Sequence, residues 1–292
     1  MLGIFSALGA AFAWTTASAI WRSIPTSLNS LKLNGLKNLI ASIIFLPFLF
    51  TVPWLEEWRA IILLLLSGCI GIAIGDSFYL AALRRLGTRR TLTIEAISPL
   101  MAGIGSTALM NESQSLQSWF GALLVSTSVV MVARQSPPKK NDMTMNSTRS
   151  QHVGIMCSLA ALVCGLSGAF LSRLVLMNEK LLPIQTSAIR LIGGLALLTP
   201  LLLPKTKLFG RPRPAQKRWP RVLIATLVGT NAGILLTQVV FSHLPVGQGV
   251  TLLSTAPVMA LLFSKREGDE PKFLGFLSSV ISVIGVGLVV SS

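Results

Sequence analysis

Apolar positions in this chain run on for about twenty residues at a time, separated by short polar stretches, instead of recurring on one face of a helix or alternating as in a strand. About 20 helical residues are needed to cross the roughly 30 Å hydrocarbon core of a bilayer. Runs of that length lie at about 2–21, 33–53, 60–82, 91–110, 116–134, 152–173, 184–204, 220–242, 246–264 and 271–291. They predict about ten transmembrane helices. A basic residue falls inside the second and seventh runs, and one acid falls inside each of the third and fourth. Two longer polar connections stand out, 135–151 and the basic, proline-containing 205–219. The first of these divides the chain into a five-helix unit at 1–134, a linker at 135–151 and a second five-helix unit at 152–292.

The two units repeat one another. Gly3-Ile4 matches Gly154-Ile155, Leu8 matches Leu159 and Arg22 matches Arg173. Lys37 falls opposite Arg190 and Pro47 opposite Pro200, while Gly71 and Gly75 fall opposite Gly229 and Gly233. Pro99-Leu-Met-Ala aligns with Pro257-Val-Met-Ala and Glu112 with Glu270; Gly121 then matches Gly275 after a short shift. Apolar letters match by chance in such a chain, but ordered matches of Gly, Pro and charge do not. An odd number of crossings per unit turns the second copy upside down. The expected fold is therefore an all-α membrane protein of about ten transmembrane helices in two inverted five-helix repeats, an arrangement that sets a central site at the repeat interface.

Composition supports lipid as the solvent. Hydrophobic residues make up 52% of the chain and charged residues 12%, about half the charged share of soluble domains. The net charge of +15 does not point to nucleic acid. Its basic residues cluster between apolar runs, as at Arg84, Arg85, Arg89 and Arg90, where they face anionic headgroups, and no basic patch interleaved with stacking aromatics is present. Cys69, Cys157 and Cys164 all lie in apolar runs and suggest neither a disulfide framework nor a metal site. His152 and His243 stand alone, and nucleophile, phosphate-loop and metalloprotease motifs are missing. Neither enzyme chemistry nor a cofactor is expected.

Several of these segments resemble the ten-helix EamA type of the drug/metabolite transporter superfamily. Phe12-Ala-Trp14-Thr15-Thr16 is similar to the family's first-helix segment, with Thr15 where a glycine is usual. Ala82-Leu83-Arg84-Arg85-Leu86-Gly87 resembles the exit of its third helix. Ser98-Pro99 and Ala256-Pro257 are similar to its fourth and ninth, and Asn111-Glu112 and Asp269-Glu270 to the acidic turn that follows. Lys37 and Arg190 sit where the second helix of each half has a basic position. The resemblance covers nearly the whole chain and implies gradient- or proton-driven movement of a small solute, with export the leading direction, in the plasma (inner) membrane. It is compatible with a homodimer and implies no particular substrate.

Ionisable residues inside a membrane are the first functional candidates, because burying one costs several kcal/mol unless it is paired or wetted. Asp76 and Glu95 fall opposite Ile234 and Leu253, so the duplicated scaffold does not require them. Either could exchange a proton, hold a cationic group or pair with Lys37. Lys37 and Arg190 are kept in both halves, which suits a shared scaffold role as well as ligand contact. Arg22 and Arg173, nearer helix ends, read as interfacial anchors. Trp14 and Thr15 in the first helix and Asn231 and Gln238 in the eighth add polar groups to a pocket between the halves. The paired glycines suggest close helix packing. The alternative is a lipid-handling or structural interaction protein on the same scaffold. On orientation, Arg59, Arg173 and Lys180 are the basic residues on the terminal side and most others lie opposite, which puts both termini outside the cytoplasm. The family resemblance implies both termini inside.

Overall fold

The computed structural model describes residues 1–22, 24, 30–135, 148–178, 180–202, 219–259, 261 and 273–292. Most of the 135–151 linker, most of the 205–219 loop, the Arg22 side chain and Asp269-Glu270 fall outside the described residues. The first repeat comprises α1 (Leu2–Arg22), α2 (Ser30–Leu49), α3 (Trp58–Ser67), a π-helical segment (Gly68–Gly75), α4 (Asp76–Glu95), α5 (Ser98–Met110) and α6 (Leu116–Gln135). The second comprises α7 (Thr148–Leu176), α8 (Pro183–Leu202), α9 (Trp219–Thr226), a second π segment (Leu227–Ala232), α10 (Gly233–His243), α11 (Val246–Leu253), α12 (Ala256–Met259) and α13 (Phe273–Val290). Eight helices among the described residues are long and apolar enough to cross a membrane. The seventh crossing is the 20-residue α8, and the ninth is the broken α11–α12. The fold is therefore the expected one, ten crossings in two five-helix repeats.

The repeats match in their irregularities as well as in their letters. In the third and eighth crossings the α-helix passes through a π segment at corresponding positions, beside Gly71-Gly75 in one and Gly229-Gly233 in the other. In the fourth, α4 stops at Glu95 and α5 restarts at Ser98-Pro99; in the ninth, α11 stops at Leu253 and α12 restarts at Ala256-Pro257. Proline explains the position of both restarts, since it lacks an N–H and fits the first turn of a helix.

Packing follows the two-fold relation. The first crossing lies against the eighth and the third against the sixth, which are equivalent pairs; the second meets the seventh, the fourth the ninth, and α6 the final helix α13. Glycine allows the close approaches. A Cβ on Gly229 would strike Ala17, and one on Gly233 the Trp14 indole; at the equivalent places a Cβ on Gly71 would meet Gly168 and one on Gly75 would meet Cys164 and Gly165. The expectation that these glycines mark helix contacts holds. Outside this interior, large apolar side chains such as Phe5, Phe12, Ile43, Val163, Phe276 and Val283 face outward, as hydrocarbon requires.

Candidate functional site

The polar centre is built by α2, the π segment with the start of α4, and α8. π-helical turns are rare and are frequent at functional sites. Asn34, fully buried on α2, donates Nδ2 to Ile72 O at 2.8 Å and to Ser77 Oγ at 3.2 Å. One turn further along α2, on the same face, Lys37 Nζ reaches Asp76 Oδ2 at 2.7 Å. Of the two acids expected as partners for Lys37, the partner is Asp76. The pair is not sealed, for the Asp76 side chain remains 41% exposed.

Arg190 enters from the other repeat. A Cβ on Gly68 would sit on the Arg190 carbonyl and one on Gly193 on the Leu65 carbonyl, so α8 crosses the third helix at backbone contact distance. The Arg190 side chain is then carried along the π segment to Gly71, with Nη2 3.4 Å from where a Gly71 Cβ would be. Arg190 is 7% exposed, and its Nε has no hydrogen-bond partner among the described residues. Lys37 and Arg190, equivalent in the two repeats, thus approach the same stretch of the third crossing, Lys37 at Asp76 and Arg190 at Gly71.

The remaining candidates surround or leave this centre. Asn231, in the second π segment, donates Nδ2 to Ala41 O at 3.0 Å and leaves its Oδ1 buried without a partner among the described residues. Gln238 is fully buried with neither end of its amide satisfied among the described residues. Thr15 Oγ1 lies 2.8 Å from Ala11 O and 2.9 Å from Ala256 O, so it reaches the broken turn of the ninth crossing. Trp14 packs its indole on Gly233. Glu95 stands apart from Lys37, with Ser98 Oγ 3.5 Å from its Oε2 and the Ser158 hydroxyl also near its carboxylate.

Arg173 corrects the sequence expectation. It is no interfacial anchor. Its Nε donates to Glu112 Oε1 at 2.8 Å and its Nη1 to Phe241 O at 2.7 Å, with 13% and 9% of the Arg173 and Glu112 side chains exposed. Glu112 also accepts from Ser106 Oγ at 2.5 Å and from the Val246 N–H at 3.2 Å. Asn111, in the left-handed region at φ 54°, ends α5 and turns Glu112 back under it. This network ties the first repeat to the sixth, eighth and ninth crossings at the face that carries the termini. The same face has Lys180 Nζ 2.8 Å from Glu57 Oε1 and Ser118 Oγ 2.6 Å from Ser292 Oγ. The repetition of both Arg22/Arg173 and Glu112/Glu270 was the available signal for a cross-repeat pair.

A helical membrane protein of two inverted repeats, broken at matching points and enclosing charge at their interface, belongs to the class of solute carriers built by internal duplication. The profile of the EamA-like transporter family matches residues 1–134 and 153–291, and the chain belongs to that family, within the drug/metabolite transporter superfamily. A solved crystal structure described no further than as a protein superposes with a TM-score of 0.79 at 16% identity, over 98% of this chain and 95% of its own. At that identity the likeness is one of fold. No curated protein matches.

Proposed function

We propose that this chain moves a small solute across the plasma (inner) membrane by alternating access, as an exporter, around the centre formed by Lys37, Asp76 and Arg190. The observation that carries this reading is the approach of two equivalent cations, one from each repeat, to the third crossing within the apolar interior, Lys37 at the Asp76 carboxylate and Arg190 at Gly71. Rocking one inverted repeat against the other exchanges the environments of equivalent positions. Exchange would give Arg190 toward Ile234 the place that Lys37 now has toward Asp76, so the two states would differ in their charge pairing. The Glu112–Arg173 network supports a state closed at the terminal face. A proton on Asp76 is the simplest coupling species, since neutralising it would free Lys37 for solute.

Reconstituted protein in liposomes, offered a metabolite panel, tests this reading. Saturable solute flux above that of protein-free vesicles is expected. Vesicles that bind solutes or lipids without moving any solute would favour the lipid-handling or structural alternative.

A further inference from the structure

The two repeats differ where their third-helix glycines are packed. The register that pairs Gly3 with Gly154 and Arg22 with Arg173 pairs Ala17 with Gly168 and Trp14 with Gly165. In the first pairing the contacts are equivalent, Ala17 on Gly229 and Gly168 on Gly71. In the second they are not. The Trp14 indole fills the space over Gly233, whereas a Cβ added to Gly165 would meet nothing within 4 Å.

That space is interior. On α7, Ser158, Ala161, Leu162, Gly168, Ala169 and Ser172 are buried and define its packed face, and Gly165 is exposed in the middle of that face. The outward-facing Val163 lies two residues away, about 200° around the helix. The opening is therefore bounded by the third crossing, where Gly75 is packed on Cys164 and Gly165. Asp76 follows Gly75 directly, and Gly71, against which Arg190 Nη2 rests, is one turn away.

We infer that the missing indole opposite Gly165 is the solute pocket and that its occupant is a small organic anion, body beside Gly165 and carboxylate toward Arg190. This deepens the carrier reading and rests on it. Lys37 and Asp76 neutralise one another, which leaves Arg190 as the surplus charge of the centre, with a buried Nε that has no partner among the described residues. A cation in such a site binds a carboxylate through charge-assisted hydrogen bonds and selects against an amine. An opening on that face with no atom within 4 Å of an added Cβ can admit the edge of a ring or a short chain.

The test is thermal unfolding of the purified full chain in detergent, titrated with benzoate, phenylacetate and indole-3-acetate, with their methyl esters, and with benzylamine and tryptamine. At least one acid should raise the midpoint while its ester and the amines do not. Gly165→Trp, which rebuilds the equivalent of Trp14, should weaken that acid's apparent affinity by roughly tenfold or more, as should Arg190→Gln. Gly165→Leu serves if the tryptophan variant does not fold, and the comparison of acid with ester needs no variant. Stabilisation by esters or amines equal to that by acids, no response to any acid, or an acid response unchanged in Gly165→Trp or Gly165→Leu would overturn the inference. Detergent binding involves no gradient, so failure of transport in liposomes with this binding intact would reject the carrier reading alone.

Discussion

Lys37 Nζ lies 2.7 Å from Asp76 Oδ2, joining a basic position that both repeats keep to an acid that only the first repeat carries. The asymmetry matters because a purely scaffold ion pair would have been duplicated with the scaffold, yet Ile234 stands where Asp76 would recur.

Lys37→Met should lower the stability of the folded protein by about 1–3 kcal/mol, between the values for exposed and buried pairs, because Asp76 loses its partner while staying partly solvated. Adding Asp76→Asn should recover part of that loss. Adding Glu95→Gln should not, since the Glu95 carboxylate lies by Ser98 instead. Unfolding midpoints of the single and double variants in detergent check the pairing; recovery by the Glu95 change alone would contradict it.

Glycine substitutions should sort by what lies opposite. Gly68→Ala and Gly193→Ala push a methyl group into the backbone of the facing helix and should cost about 1–3 kcal/mol or more, with folded yield as the readout. Gly165→Ala and Gly287→Ala meet open space. They should be neutral or gain up to about 1 kcal/mol from helix propensity.

Breaking the Glu112–Arg173 pair should be among the most damaging single changes at the terminal face. Arg173→Met leaves a nearly buried carboxylate and should cost about 3–5 kcal/mol, with part regained by adding Glu112→Gln. Hydrogen exchange of the Val246 amide, which donates to Glu112, should speed up in either single variant. Unchanged exchange there would show that the network does not hold this face together.

The crossings, their duplication and the close-packed glycines were legible because each leaves a mark in residue type: length of apolar run, Gly spacing, Pro position. The pairing of Lys37 with Asp76 was legible as one of two options, since few acids lie in apolar runs. Other features left weaker marks. A π turn and an α turn use the same residues, so nothing in Gly68–Gly75 announces its hydrogen-bond pattern or marks Asn34 as its satellite donor. Arg173 read as an anchor because helix-end arginines commonly are; its burial depends on Glu112 folding back from Asn111, a tertiary event. Gly165 carries no mark of its own in the sequence, since the open space around it, unlike that at the equivalent Trp14, is a tertiary property.

The expectation that both termini lie outside the cytoplasm rests on charge. With Arg173 buried in an ion pair, the terminal face has still fewer free basic residues, and the positive-inside rule assigns the opposite face, with the 205–219 loop, to the cytoplasm. Gly210→Cys, in an otherwise cysteine-free background, should resist an impermeant maleimide in intact cells and react after permeabilisation. Labelling in intact cells would instead support the inside termini that the family resemblance implies.

The most direct test of a carrier organised around Asp76 is the initial rate of solute flux in liposomes containing equal amounts of folded wild-type and Asp76→Asn protein. Wild-type flux should be saturable and should fall by about tenfold or more in the variant, as expected for loss of a charged contact at the centre. Equal rates and equal pH dependence for the two proteins would contradict that organisation.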